Sequence, residues 1–405
     1  PEAVRRVGVE RHPGACLGER ARHRVGVDLA AAVQRLQVHV VDVQHREAAR
    51  APNRGLAGVP DYNRGLLKVL VIKRDKLGDL LLTTPLLEHL KAARPDAQVH
   101  LLANDYNAWV VAGNPHVDRL WVYRRVRHAG GVSLSAALAW FSQSRALRAE
   151  RYDWVIVANG DESRRAIERG LSVRGAHTVA YCADPARFPK LSDPLAPDRS
   201  RHEMDRMLAM LEPMGVSMPA APIHPRYVLT AASADFARGW LVERGLATGR
   251  YVVLGLGARR PKKQPSTEQV LRWSAHFKER HGLDTVFMWT PGKSDDPRYP
   301  GDDATAQPVL DARAPQIHPH RGPLSEAIGL VWSARTSLFP DSGLMHFAAA
   351  SPGGVLGFFA ETDVSPSPAQ WAPRGPKVAW LDAPKSVTEL ADGEVYGRIE
   401  QLLST

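Results

Sequence analysis

The chain has 405 residues, a formal charge of +10, two cysteines and 44% hydrophobic residues. That length points to two domains with a core each, and Cys16 and Cys182 are too few for a disulfide framework or a thiolate zinc site. The charge favours anionic partners, but no helix-turn-helix, zinc-finger spacing or RNP-like aromatic motif supports nucleic acid, and no apolar run nears the roughly 18 residues that span a bilayer.

Residues 1–64 are rich in Arg, Val and Gly, contain no Lys and start at Pro1. They read as an atypical extension, disordered or mis-started, with at most a short amphipathic helix through Leu29, Val33 and Leu36. No charged segment leads into an apolar one with a cleavage site, so the expected location is cytoplasmic. From Leu66 the pattern alternates strand and helix, the mark of parallel βαβ units. Val69–Ile72 is β-branched or Leu throughout and reads as a buried parallel strand. A helix is expected from about Leu80 to Ala93, confined or kinked by Pro85. Then come strand 98–103, a short helix near 106–112, strand 120–123, a helix over 133–150 with Leu134, Leu138, Phe141 and Leu147 near one face, and strand 154–158.

Pro213, Pro219, Pro222 and Pro225 interrupt this rhythm and read as a linker, dividing an N-terminal domain (65–225) from a C-terminal one (226–405). The second half repeats the architecture with strands over 251–255, 285–289, 336–339 and 354–359, and helices over 268–280, 325–334 and 347–350. His318-Pro319-His320 reads as loop, since its rings cannot share a helical face and no acidic or cysteine partner makes it a metal site.

Two places concentrate chemistry. Lys73-Arg74-Asp75-Lys76-Leu77-Gly78-Asp79 follows the first strand, so Asp79 stands near a helix start at the carboxyl edge of a sheet, where open α/β folds hold ligands. The same carboxylate also suits a plain helix cap. In the second half, a strand ends in Pro340-Asp341-Ser342-Gly343-Leu344-Met345-His346, and the helix opening there offers amides and a positive dipole to a phosphate. Ser342 also reads as a cap, and His346 as a packed side chain. The loop Gly255-Leu256-Gly257-Ala258-Arg259-Arg260-Pro261-Lys262-Lys263 joins glycines to cations, as pyrophosphate binding requires, without being the dinucleotide fingerprint. Gly292-Lys293-Ser294 is not a P-loop, because Phe287 replaces the first glycine. There is no Asp-x-Asp metal motif, no Gly-x-Ser-x-Gly elbow and no sign of a cofactor. Arginines crowd the first half, a solvated face or a docking surface for an anion.

Together these residues resemble glycosyltransferase family 9, the ADP-heptose:lipopolysaccharide heptosyltransferases. The likeness rests on Lys73-Arg74-Asp75-x-x-Gly78-Asp79-x-x-x-x-Thr84-Pro85, Arg94-Pro95-Asp96-Ala97 and Asn114-Pro115-x-Val117-Asp118. In the second half it rests on the Pro340–His346 block continuing into Ala348-Ala349-Ala350, then Trp371-Ala372-Pro373. The resemblance implies a GT-B fold of two Rossmann-like domains and inverting, metal-independent transfer from an ADP-sugar to an anionic lipopolysaccharide acceptor. It implies Asp79 as general base, and Gly257, Lys263, Asp341, Ser342, Gly343, Leu344 and His346 around the donor. Lys73, Arg74, Arg124 and Arg127 would face the acceptor, with peripheral contact at the inner membrane surface. The sequence departs from the family in three places: Ser342 replaces the usual Thr, no Trp follows Lys263, and residues 291–296 offer no clear acidic partner for the nucleoside. Competing readings are a related transferase or epimerase using another nucleotide sugar, and a non-catalytic glycan- or phosphate-binding relative.

Overall fold

A computed structural model of the chain describes residues 66–123, 134–258, 260–296, 300–363 and 367–404. The extension 1–64 with its expected helix, and Arg124 and Arg127, lie outside the described residues. The first lobe runs β1 (Lys68–Ile72), α1 (Leu77–Leu81), α2 (Thr84–Ala93), β2 (Gln98–Asn104), β3 (Arg119–Tyr123), α3 (Leu134–Ala149), β4 (Trp154–Val157), α4 (Arg164–Val173), β5 (His177–Tyr181), β6 (Asp193–Leu195) and α5 (Glu203–Ala209). Its six strands form one parallel sheet in the order β3-β2-β1-β4-β5-β6. Val69 pairs with Val99 on one side and Trp154 on the other, and β1 is buried along nearly its whole length, as a central strand covered by helices on both faces must be.

The single helix expected over 80–93 is two. The first begins earlier, at Leu77, and ends at Leu81 with Leu82 as its cap. Thr83 Oγ1 then donates to the Asp79 carbonyl at 2.8 Å and Thr84 Oγ1 to that of Leu81 at 2.8 Å. Those hydroxyls satisfy carbonyls freed at the break, and Pro85, lacking an N–H, fits the first turn of α2. Asp79 thereby sits inside the first turn of α1 instead of preceding it. Phe141 of α3 is 67% exposed while Leu147 is buried, so these two of the expected side chains do not share a buried face.

The second lobe runs α6 (Ala231–Glu243), β7 (Tyr251–Gly255), α7 (Thr267–His281), β8 (Asp284–Met288), α8 (Asp303–Asp311), β9 (Ile317–His320), α9 (Leu324–Ser333), β10 (Thr336–Pro340), α10 (Gly343–Ala350), β11 (Val355–Ala360), α11 (Pro368–Trp371), β12 (Val378–Ala383) and α12 (Asp392–Ser404). Its parallel sheet has the order β12-β11-β10-β7-β8-β9. The expected loop His318-Pro319-His320 is therefore strand β9. It escapes the rule against proline because it lies at the sheet edge, where a missing N–H leaves no partner wanting.

The proline-rich interval leaves a short 3₁₀ turn at Glu212–Met214 and runs without regular structure to α6. Tyr227 in this run packs edge-on against Trp109 of the first lobe and against Trp332 and Phe347 of the second, with centroids 5.1–6.1 Å apart. Trp109 also stacks on Phe347 at 5.7 Å. Phe347 and Ile328 thus join the first lobe's core, and each such aromatic pair adds about 0.5–1.5 kcal/mol beyond its buried area.

Candidate active site

Each sheet has one place where strand order reverses, between β1 and β4 and between β7 and β10, and at such points the diverging connections open a ligand crevice. In the first lobe Lys73 emerges from β1 fully buried. Its Nζ lies 3.3 Å from Asp75 and 3.6 Å from Glu203. Burial opposes the ammonium, but Asp75, Glu203 and Asp79 outweigh it and hold the Lys73 pKa above its ordinary value. Glu203 pairs with Arg206 at 2.7 Å, and Arg206 reaches the Gly160 carbonyl at 2.8 Å and Asp161 at 3.3 Å. Asn159 Nδ2 donates to Asp75 at 2.6 Å. Lys73, expected to face the acceptor, has no exposed surface in this structure and instead braces Asp75 and the turn leading to α1. Arg74 is half-buried and donates to the Tyr123 hydroxyl at 3.1 Å.

In the second lobe Lys263 Nζ donates to Asp341 Oδ2 at 2.7 Å, both side chains being nearly buried. Gln264 folds the loop before it by donating to the Ala258 carbonyl at 2.9 Å and to Asp302 at 2.7 Å. Lys262 pairs with Glu361 at 2.8 Å, and Glu361 has a positive φ of 56°, a conformation costly for a residue with a side chain. The glycine that packing demands here is Gly255, whose absent Cβ would lie 2.1 Å from the Phe339 ring; at Gly257 a Cβ would meet only Thr290, at 3.7 Å. Ser342 caps α10, its hydroxyl accepting from Met345 N at 3.4 Å. Gly343 is exposed, Leu344 half-buried and His346 buried. Burial lowers the His346 pKa although Asp341 and Asp79 both pull it up, so the ring is neutral near pH 7, with Nδ1 unpartnered among the described residues.

The two crevices meet through Gly78. A Cβ there would stand 3.1 Å from His346 Cδ2 and 3.2 Å from Gly343 Cα, so the absence of a side chain at Gly78 favours this close approach of the start of α1 to the start of α10. Asp79 is the next residue, half-buried. Its Oδ2 accepts from Lys76 N–H at 3.0 Å, the sole side-chain hydrogen bond it makes among the described residues. The capping and functional readings of Asp79 are thus compatible, one oxygen being engaged by the backbone.

Three further contacts, without a signature in the sequence pattern, tie the lobes together. His202 Nε2 donates to the Ala372 carbonyl at 2.9 Å, Arg374 forms a two-pronged pair with Asp205 at 2.6 and 2.7 Å, and Gln370 donates to the Arg199 carbonyl. A cavity of about 270 Å³ lies along this seam, flanked by His202, Ala372, Arg374 and Trp380 and apart from Asp79 and Lys263.

A family model described as glycosyltransferase family 9 (heptosyltransferase) matches residues 140–386, more than half of the chain. Lys263 and the Asp341–His346 block fall within that stretch, and Asp79 precedes it. Lipopolysaccharide heptosyltransferase 3 of Escherichia coli is 23% identical over 296 residues, which cover 71% of this chain and 81% of that protein. A protein of the same name from strain K12 is 28% identical over 141 residues, a match that spans 35% of this chain and only 40% of the relative. Among solved structures, a family 9 glycosyltransferase from Veillonella parvula DSM 2008 superposes with a TM-score of 0.70 at 20% identity, covering 84% of this chain and 97% of that one. The E. coli heptosyltransferase WaaC with ADP gives 0.65 at 18%, covering 83% and 100%. The two parallel-sheet lobes have the GT-B fold, and the match over more than half of its residues shows that this chain belongs to glycosyltransferase family 9, the heptosyltransferases.

Proposed function

We propose that this chain moves a heptose, with inversion at the anomeric carbon, from an ADP-sugar to an anionic lipopolysaccharide-type acceptor, with Asp79 as general base. The observation that carries this reading is the close approach of Gly78 to Gly343 and His346, which brings a half-buried carboxylate beside the amide-rich start of α10. Inverting transfer needs a base on one side of the anomeric carbon and positive charge on the other. Asp79 takes the proton of the attacking hydroxyl as the new bond to C1 forms and the bond from C1 to the diphosphate oxygen breaks. Lys263 and the first amides of α10 receive the charge that develops on the departing ADP. Asp341 uses one of the three Lys263 ammonium donors and leaves two for the diphosphate. Ser342 fixes the first turn of α10, Leu344 and the neutral His346 wall the donor pocket, and Gly257 leaves room for backbone approach.

The arginine-rich first lobe, Arg74 included, supplies charge for a phosphorylated acceptor. Structural relatives of the same fold bind ADP and ADP-2-deoxy-2-fluoro heptose, which supports an ADP-linked donor. Among the described residues no helix is long and apolar enough to cross a membrane, and the +10 charge suits a cytoplasmic enzyme working at an anionic lipid surface. The test is incubation with ADP-heptose and a lipid A–Kdo acceptor. Release of ADP with a one-heptose gain in acceptor mass supports the reading; transfer from a UDP- or GDP-sugar in its place replaces the donor, and ADP binding without any transfer leaves a binding protein.

A further inference from the structure

On the outer side of the second lobe, α7 carries His276 and His281 in its last turns and α12 carries Glu400. One ligand atom from each lies within 4.8 Å of the other two. The His276 ring lies flat on Tyr396, with centroids 3.6 Å apart and planes 7° from parallel, and faces His281 at 5.9 Å and 74°. The Nε2 atoms of both histidines are buried and have no hydrogen-bond partner among the described residues. Two unpaired ring nitrogens beside each other and next to a carboxylate are donor types that suit a metal ion. Glu400 is exposed and only loosely engaged, 3.9 Å from Arg280 Nε, so its side chain is free to swing inward. None of these residues belongs to the donor crevice.

We propose that His276, His281 and Glu400 bind a divalent transition-metal ion of the zinc class, which clamps the C-terminal helix to α7. Two imidazoles with one carboxylate select such an ion over magnesium or calcium, which take oxygen ligands. Metal–ligand bonds of about 2.0–2.2 Å set neighbouring ligand atoms roughly 3.3–3.5 Å apart in a tetrahedral shell, so the cluster closes by a modest turn of Glu400 and the His281 ring, with water as fourth ligand. The stacking on Tyr396 holds the His276 ring in place. The clamp reinforces an apolar seat already formed by Val395, Ile399 and Leu402 of α12.

The experiment is calorimetric titration of the metal-stripped, untagged full chain with Zn²⁺, together with the visible spectrum of the Co²⁺ form and melting with and without Zn²⁺. The expected result is one ion per chain, a tetrahedral cobalt spectrum and a melting point raised by Zn²⁺. His276→Gln and His281→Gln each weaken binding at least about tenfold, and Glu400→Gln, at an exposed position that leaves the fold intact, weakens it and reduces the melting shift. His318→Gln, elsewhere in the lobe, leaves binding unchanged. Substoichiometric binding by the wild type, or undiminished binding by the His276→Gln/His281→Gln double variant or by Glu400→Gln, overturns the proposal.

Discussion

Acidification acts on the seam between the lobes through His202. Its Nδ1 accepts from Met204 N–H at 3.1 Å, capping α5, while its Nε2 donates to Ala372 at 2.9 Å. Both bonds together require the neutral ring with its proton on Nε2, because a second proton on Nδ1 would point at the Met204 amide. Burial, followed by the charge of Arg374, lowers the His202 pKa from 6.5 to about 4. An unfolded chain takes up the proton near pH 6.5 and the folded one only near 4, so the unfolded state binds more protons between these values. Stability is complete above pH 6.5 and falls as the pH drops through that window. At about 1.4 kcal/mol per pH unit the loss is roughly 2 kcal/mol at pH 5 and about 3 kcal/mol below pH 4. Urea melts of wild type and His202→Gln at pH 7.5 and 5.0 isolate this share, because His100 and His320, also lowered to about 4, titrate alike in both proteins. The wild type should lose about 2 kcal/mol more than the variant over that interval. Equal losses would refute the buried neutral assignment.

Replacing Lys263 with Ala strands the nearly buried Asp341 carboxylate and should cost about 3 kcal/mol of stability along with most of the ADP affinity; adding Asp341→Asn should restore melting without restoring ADP binding, both read by thermal shift and calorimetry. Gly78→Ala should press a methyl group against His346 and Gly343, lowering kcat by at least about tenfold for roughly 1–3 kcal/mol of strain, as a transfer assay would register. A double-mutant cycle on Arg374→Ala and Asp205→Ala should return a coupling of roughly 1 kcal/mol, because the pair is two-pronged but half exposed; zero coupling would remove it from the forces that join the lobes.

The two-lobed architecture was legible because Lys68–Ile72, Tyr251–Gly255 and their neighbours are short β-branched runs bounded by helical patterns, and central parallel strands read that way. Strands β6 and β9 were not, since Asp193-Pro194-Leu195 and Ile317-His318-Pro319-His320 lack the β composition and exist only by pairing at sheet edges. The break between α1 and α2 depends on hydroxyl bonds from Thr83 and Thr84 that helical periodicity does not reveal. Glycine-aspartate and aspartate-serine-glycine turns marked both sheet edges, so Asp79 and Asp341 stood out. The contacts that set their surroundings did not: Lys73 meets Glu203, and His202 meets Ala372 across 170 positions of chain. The burial of Lys73 was likewise invisible, because Glu203 reaches it from 130 positions along the chain.

Asp79 is the group on which the proposed transfer depends. Asparagine at that position keeps an oxygen for the Lys76 amide, so Asp79→Asn should fold and bind ADP as the wild type does. Single-turnover transfer from ADP-heptose should then be slower by about 10²–10⁴-fold, the usual loss when a general base is removed. Transfer by the folded variant at the wild-type rate would contradict the assignment.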